Sequence, residues 1–161
     1  MYNKLLTLLL CFTLLMPRPA HAGPPPVLVR LLNMTNEHPS HVNDVSDAIL
    51  SSTSDKSLQA LLIAQGWHES RFKHSVCTGE KLGDGGRAYG CWQSWDKDHS
   101  GGLRGQAWRA AEHLRRAGNY CVARGFDRIE GAISLYATGR TCQWSQAKER
   151  AATYRRVLRR L

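Results

Sequence analysis

The sequence predicts an α+β fold that is mainly α-helical, with a small β-hairpin or Gly-rich loop beside one central helix. Apolar side chains recur at spacings of three and four residues along several segments, the pattern of helices with one buried face. Between Thr78 and Gly90 the chain holds five glycines, a density that defeats a helix and suits a tight hairpin or bent loop. Four cysteines beyond the first 22 residues predict two disulfides.

The N-terminal segment, residues 1–22, has the pattern of a cleaved export signal. Lys4 precedes an apolar run from Leu5 to Met16, and Ala20-His21-Ala22 forms a small-residue cleavage site. The run is too short to span a bilayer, which takes about 20 apolar residues. A lipoprotein anchor at Cys11 is disfavoured because Leu8-Leu9-Leu10 lacks small residues. We therefore expect a secreted or periplasmic protein with no integral membrane segment after cleavage.

The composition favours one basic domain. Cleavage would leave 139 of the 161 residues, a length that fits a single core. It would also remove Lys4 and Arg18, leaving 20 basic and 13 acidic side chains, a net charge of +7. Nucleic acid, anionic lipid and the acidic bacterial wall all suit such a surface. The export signal favours the wall, and only the charge supports nucleic acid, which we do not expect as a partner.

The four cysteines allow three pairings, and the sequence leaves that choice open. We favour Cys77 with Cys91, which closes the Gly-rich segment. The second pair is then Cys121 with Cys142, which ties one helix and its flanking loops together.

The first residues after the signal, Gly23-Pro24-Pro25-Pro26, predict an extended, Pro-rich lead-in over residues 23–41. The folded domain would then cover residues 42–161. The apolar stretch from Val27 to Leu32 could dock as a strand or a helix, and the pattern does not decide between them.

Five helices are expected in the folded domain. Asn43 or Ser40 would cap the first, and Ser54 or Asp55 would cap the second, which ends near Glu69. The inward stripe of the second helix contains Leu58, Leu62, Gln65 and Glu69. Three later helices are marked by apolar residues in register: Ala107, Ala110, Leu114 and Ala117; Ile129, Ile133 and Tyr136 behind an Asp127 cap; and Trp144, Ala147, Ala151, Tyr154, Leu158 and Leu161.

Glu69 is the carboxyl group whose predicted position is suited to acid catalysis. Burial on an apolar stripe and the negative end of the helix dipole both favour its protonated form. A protonated carboxyl group can protonate the leaving oxygen of a glycosidic bond. The alternative is structural: Glu69 pairs with Arg71 or another nearby basic residue.

Three stretches resemble motifs of the lytic transglycosylases, a family of the lysozyme-like superfamily. Residues 63–72 read IAQGWHESRF, similar to the family's catalytic helix, which ends in Glu-Ser-x-Phe. Residues 85–93 read GGRAYGCWQ, similar to its Gly-Leu-Met-Gln turn, and residues 132–139 read AISLYATG, similar to the helix that bears Ala-Tyr-Asn. The three stretches cover roughly half of the chain, from about Leu58 to Gly139, and imply a lysozyme-like domain.

The resemblance also implies roles for individual residues. Glu69 would act first as acid and then as base, Ser70 and Gln93 would contact the glycan, and the Tyr136 hydroxyl would hold the Glu69 carboxyl group. The sequence departs from the family at Cys91 and Trp92, which replace Leu and Met. Ala137 replaces Asn and removes a polar group expected to contact sugar.

The implied reaction cleaves the MurNAc-GlcNAc β-1,4 bond of peptidoglycan without a cofactor. The substrate's N-acetyl group assists departure, and a 1,6-anhydromuramoyl end forms. A hydrolytic lysozyme usually uses a second carboxylate. Asp84 is the first candidate for it, with Asp96 and Asp98 behind, although Asp before Gly-Gly is typical of a turn.

Aromatic residues near Gln93, namely Tyr89, Trp92 and Trp95, are candidates for stacking on sugar rings, and we expect one or two of them to face a cleft. Helical spacing indicates that Trp67, Trp108 and Trp144 are packing residues instead.

Other functions fit the sequence less well. A zinc motif beginning at His68 would need histidine at position 72, which is Phe. A papain-like Cys91, with His99 or His113 as base, would leave three cysteines unpaired. A non-catalytic peptidoglycan-binding module is the stronger alternative, because the same motifs also describe a binding groove.

Overall fold

The computed structural model describes residues 23–94 and 101–161, with the side chain of Asp84 left out. This part of the chain is mainly helical. Its α-helices are α1 Pro26–Asn33, α2 Pro39–Ser52, α3 Lys56–Glu69, α4 His74–Cys77, α5 Gly102–Val122, α6 Arg128–Thr138 and α7 Ala147–Leu158.

The expected extended lead-in over residues 23–41 is wrong from Pro26 onward. Proline is tolerated in the first turn of a helix because its missing N–H would have no intrahelical partner there. Helix α1 uses this position, and the Pro25 carbonyl oxygen accepts bonds from the Leu28 and Val29 N–H groups, at 2.9 and 3.1 Å. Leu28 and the apolar side chains beside it are buried, so the segment belongs to the core.

Helix α2 likewise begins at a proline, Pro39, and not at the predicted caps Ser40 or Asn43. The ring of His38 caps it instead, because its Nδ1 accepts a hydrogen bond from the Ser40 N–H at 3.2 Å.

Helix α3 lies at the centre of the domain, and its bounds agree with the prediction. Asp55 caps its first turn by accepting bonds from the N–H groups of Ser57 and Leu58, at 2.8 and 3.4 Å.

The middle of α3 is buried on all sides, since the seven consecutive residues from Ala60 to Gly66 are all buried. A helix that is apolar on all sides is surrounded by protein. Helices α2, α5 and α7 pack around α3, and the Ser57 and Tyr154 hydroxyls join α3 to α7 at 2.8 Å.

Both favoured disulfides are confirmed. The Cα atoms of Cys77 and Cys91 are 4.2 Å apart, and those of Cys121 and Cys142 are 5.6 Å apart. The second disulfide lies where α5 and α6 approach closely. A Cβ atom on Gly131 would lie 2.5 Å from the Cβ of Cys121, so only glycine allows this approach.

The Gly-rich segment forms a bent loop rather than a regular β-hairpin. Two isolated antiparallel bridges pair Gly83 with Ala88 and Tyr89 with Ser94, and a 3-10 turn spans Asp84–Gly86. The Cys77–Cys91 disulfide ties this loop to the end of α4. Within residues 23–94 and 101–161, no helix is long and apolar enough to cross a membrane.

Candidate active site

A cleft of about 1080 Å³ opens beside the C-terminal end of α3. Its walls come from the end of α3, the Gly-rich loop, one face of α5 and the end of α6. The lining residues are Glu69, Gly83, Ala88, Gln93, Ser94, Trp108, Arg109, Glu112, His113, Arg116, Tyr136, Ala137, Thr138 and Gly139. Residues from all three motif-like stretches therefore meet at one cavity.

Glu69 is held by two polar partners at the cleft. The Gln65 Nε2 group, one turn earlier on α3, donates to Glu69 Oε1 at 2.7 Å. The Arg150 guanidinium, from α7, donates to the same oxygen and forms an ion pair. The side chains of Glu69 and Arg150 are 19% and 13% exposed, so the pair is largely shielded from water.

Glu69 does form an ion pair, as the structural alternative predicted, but its partner is Arg150 and not Arg71. Arg71 instead lies over the Trp67 ring, 4.5 Å from its centroid. The Glu69 carboxyl group is therefore bound both by its own helix, through Gln65, and by α7, through Arg150.

Gln93 reaches the cleft through an unusual backbone conformation. Its φ angle is +49°, in the left-handed region, and its Nε2 donates to the Gly90 carbonyl oxygen at 2.9 Å. A Cβ atom on Gly83 would lie 1.6 Å from Gln93 Oε1. Glycine at position 83 therefore makes the space in which the Gln93 carboxamide sits.

Gln106, which the sequence analysis missed, anchors this loop to α5. The side chain is buried, its Oε1 accepts from the Cys91 N–H, and its Nε2 donates to the Cys77 carbonyl oxygen, each at 3.0 Å. One carboxamide therefore binds the backbone of both cysteines of a disulfide. The sequence feature that could have identified Gln106 is its position directly before Ala107, on the inward side of the helix.

Tyr136 lines the cleft, but its predicted hydrogen bond to Glu69 is wrong in this structure. The hydroxyl donates to the Trp92 carbonyl oxygen at 2.9 Å. Burial, with the nearby Glu69 charge adding, raises the pKa of Tyr136 well above its usual range. The phenol therefore stays neutral, and it positions the Trp92–Gln93 turn rather than the carboxyl group.

Two residues expected to contact substrate are buried in the protein instead. The Ser70 hydroxyl donates to the Gly66 carbonyl oxygen at 3.1 Å and accepts from the Phe72 N–H at 3.0 Å, so it closes the end of α3. The Trp92 indole is 1% exposed and donates to the Leu62 carbonyl oxygen at 2.9 Å. Ser70 and Trp92 therefore support the backbone beneath the cleft surface, and neither side chain is exposed enough to contact a sugar.

Tyr89 packs beside the cleft rather than lining it. Its hydroxyl donates to the Thr78 carbonyl oxygen at 3.2 Å, and its ring covers Gly79. Of the five predicted substrate-binding residues, Gln93 and Tyr136 line the cleft.

Helix α5 contributes a wall that the sequence analysis did not predict. Trp108, expected to be a packing residue, is 55% exposed on the cleft surface. Glu112 brings a second carboxyl group to the cleft. Its side chain is 20% exposed and is paired with Arg115 and, at 3.8 Å, with Arg116.

His113 lies on the same wall, and the centre of its ring is 4.7 Å from that of Tyr136. Burial, followed by the Arg116 charge, lowers the pKa of His113.

Several candidate residues fall outside the described positions. The backbone of Asp84 lies in the 3-10 turn, but its side chain is not described. Trp95, Asp96, Asp98 and His99 lie in residues 95–100, which are also outside the described ranges. Among the residues that are described, no group of three or more His, Cys, Asp or Glu side chains could hold a metal ion.

Comparison with protein-family models, with curated proteins and with solved structures finds no match to this chain.

Proposed function

We propose that the chain is an exported peptidoglycan lytic transglycosylase with a lysozyme-like domain, and that Glu69 is its acid and base. The observation that carries this proposal is the convergence of the three motif-like stretches on one cleft. Glu69, Gln93 and Tyr136 come from separate segments of the chain, and all three line the same cavity. Two disulfides support an oxidising compartment, as expected of a secreted or periplasmic protein.

In the proposed reaction, the Glu69 carboxyl group protonates the glycosidic oxygen between MurNAc and GlcNAc. The C1–O bond breaks as the N-acetyl carbonyl oxygen of the substrate attacks C1. The Glu69 carboxylate then removes the proton from the muramoyl 6-hydroxyl, and O6 displaces the N-acetyl oxygen from C1. The product is a 1,6-anhydromuramoyl end, Glu69 is again protonated, and no water is consumed.

The two oxygens of Glu69 have different surroundings. Among the described residues, both polar partners, Gln65 and Arg150, bind Oε1. We therefore assign proton transfer to Oε2, with the two donors fixing the plane of the carboxyl group. Fixed orientation matters because general acid catalysis requires hydrogen-bond reach to the leaving oxygen.

A second candidate function is a hydrolytic muramidase. Glu112 supports it, because this residue brings another carboxyl group to the cleft that contains Glu69. Such a group could activate water in place of the 6-hydroxyl. Asp84 remains the other candidate for that role.

Two measurements on purified sacculi test the proposal. Mass spectrometry of the soluble products should find anhydromuramoyl ends, whereas free reducing ends would establish hydrolysis instead. Glu69→Gln should abolish lysis and retain sacculus pull-down, and the matched control Glu80→Gln, which changes an exposed carboxylate of the loop, should lyse normally. Lysis by the Glu69→Gln protein would overturn the catalytic assignment. A wild-type protein that binds sacculi without cutting them would identify a binding module.

A further inference from the structure

Helix α5 turns one continuous face toward the cleft. The residues on this face are Trp108, Arg109, Glu112, His113 and Arg116, at positions i, i+1, i+4, i+5 and i+8. At a rise of 1.5 Å per residue, the face extends about 12 Å along the helix. The opposite face of α5 is packed into the core through Ala107, Ala110 and Leu114. The wall is therefore carried on a rigid element.

Trp108 has the character of a binding platform. More than half of its surface, 55%, is exposed, although the indole is the largest apolar side chain available to a core. A large exposed aromatic ring on a concave wall is typical of a surface that is covered by a ligand. The flat apolar face of an indole suits the C–H face of a sugar ring, and its N–H remains available as a donor.

The charged side chains beside Trp108 indicate which kind of sugar would bind there. Arg109 follows it directly, and Arg116 lies two turns further along the same face. Arg116 is 77% exposed and 3.8 Å from Glu112, so its pairing with that carboxylate is loose and open to exchange. Guanidinium groups bind carboxylates through two parallel hydrogen bonds, which a neutral sugar cannot accept in the same way.

We propose that Trp108, Arg109 and Arg116 form a subsite for an acidic glycan. The indole stacks on a sugar ring, and the guanidiniums bind carboxylates carried by that sugar or its neighbour. The identification of the glycan as a muramoyl polymer, with its lactyl and peptide carboxylates, rests on the proposed function. The subsite itself is a binding property and does not depend on bond cleavage.

The experiment measures binding in a Glu69→Gln background, so that turnover does not change the ligand. Two probes are used: purified peptidoglycan glycan strands, which carry carboxylates, and N-acetylglucosamine oligomers, which are neutral. Trp108→Ala is compared with Tyr120→Ala, since Tyr120 is a 48% exposed aromatic residue of α5 that lies outside the cleft lining. Arg116→Gln is compared with Arg115→Gln, because both arginines pair with Glu112 but only Arg116 is a lining residue.

Trp108→Ala should weaken binding of both probes by about tenfold, the effect of losing one good aromatic contact. Arg116→Gln should weaken binding of the acidic strands by about threefold to tenfold, reduce the salt dependence, and leave the neutral oligomers unaffected. The control variants should stay within about twofold of the parent, as expected for surface positions outside the contact. Equal binding by the Trp108→Ala and Tyr120→Ala proteins would overturn the subsite, as would equal losses for both probes in Arg116→Gln.

The two proposals fail in different ways. If wild-type protein lyses sacculi normally and Trp108→Ala binds as tightly as its parent, the subsite is refuted and the proposed activity stands. If wild-type protein does not lyse sacculi but Trp108→Ala loses binding, the proposed activity is refuted and the subsite stands.

Discussion

The ion pair between Glu69 and Arg150 allows the proposed catalytic role of Glu69 to be separated from its structural role by a double-mutant cycle. The variants are Glu69→Gln, Arg150→Gln and their combination. Exposed ion pairs contribute about 0–1 kcal/mol, and coupling free energies between residues in contact are about 0.5–3 kcal/mol. Because the two side chains are only 19% and 13% exposed, we expect a coupling free energy above the value for exposed pairs, about 2 kcal/mol.

The cycle is measured by urea unfolding followed by tryptophan fluorescence, with lysis of sacculi recorded on the same four proteins. Glu69→Gln should reduce the rate of lysis by at least about a hundredfold, the contribution of a general acid. Arg150→Gln should keep lysis within about tenfold of wild type, because Arg150 positions the carboxyl group and transfers no proton. The Arg150 guanidinium also lies 4.7 Å from the centroid of the Trp144 ring, and we expect this contact to persist when Glu69 is replaced.

Two results would refute this reasoning. A coupling below about 0.5 kcal/mol would mean that the pair contributes nothing measurable to folding. Losses of lysis that are equal in the two single variants, and proportional to their losses of stability, would mean that Glu69 acts only through the fold.

Three further predictions concern the disulfide, the loop and the pH dependence. Replacing Cys121 and Cys142 with serine opens a loop of sequence separation 21 and should lower the free energy of unfolding by about 3 kcal/mol, as measured by urea unfolding. Gly83→Ala should displace the Gln93 carboxamide, whose Oε1 would lie 1.6 Å from the new Cβ, and so impair lysis while lowering stability by only about 1 kcal/mol, because the displaced atoms end a flexible side chain. Burial, followed by neighbouring arginine charges, lowers the pKa of His68, so the unfolded chain takes up a proton before the folded chain does. Stability should therefore fall as the pH drops below about 6.5, and His68→Gln should reduce this fall.

Each of these predictions has an outcome that contradicts it. A serine variant with unchanged stability would show that the disulfide constrains nothing in the unfolded chain. Wild-type lysis by the Gly83→Ala protein would show that the position of the Gln93 carboxamide is not needed. A His68→Gln protein with the same pH dependence as wild type would assign the titration to other groups.

Local signals were sufficient to predict α3 and the presence of two disulfides, although the sequence left the pairing of the four cysteines open. Asp55 is a good N-cap followed by an apolar helix, and the resulting bounds place Glu69 in the last turn. For α1, the proline run favoured an extended segment, and the apolar pattern from Val27 to Leu32 left strand and helix open. The helix forms because Pro26 occupies the first helical position, where proline is tolerated.

The partners of the site residues were harder to predict because they are distant in sequence. Arg150 lies 81 residues from Glu69, and the Tyr136 hydroxyl bonds to a carbonyl oxygen 44 residues away. Side-chain periodicity assigns a residue to one face of a helix and says nothing of which atom it meets. Trp108 illustrates the limit: it is one position from the buried Ala107, and the rotation of about 100° between successive helical residues places the indole in the cleft.

Helix α7 has a consequence for how the protein can be divided. The three motif-like stretches end at Gly139, and a fragment designed around them would stop before Arg150 and Tyr154. Such a fragment would lack the guanidinium that pairs with Glu69 and the hydroxyl that joins α7 to α3 through Ser57. It would also leave one side of the central apolar helix open to water. We therefore expect the smallest unit that folds stably to be longer than the segment that carries the recognisable motifs. Failure of the shorter fragment in an assay would then reflect the loss of these contacts.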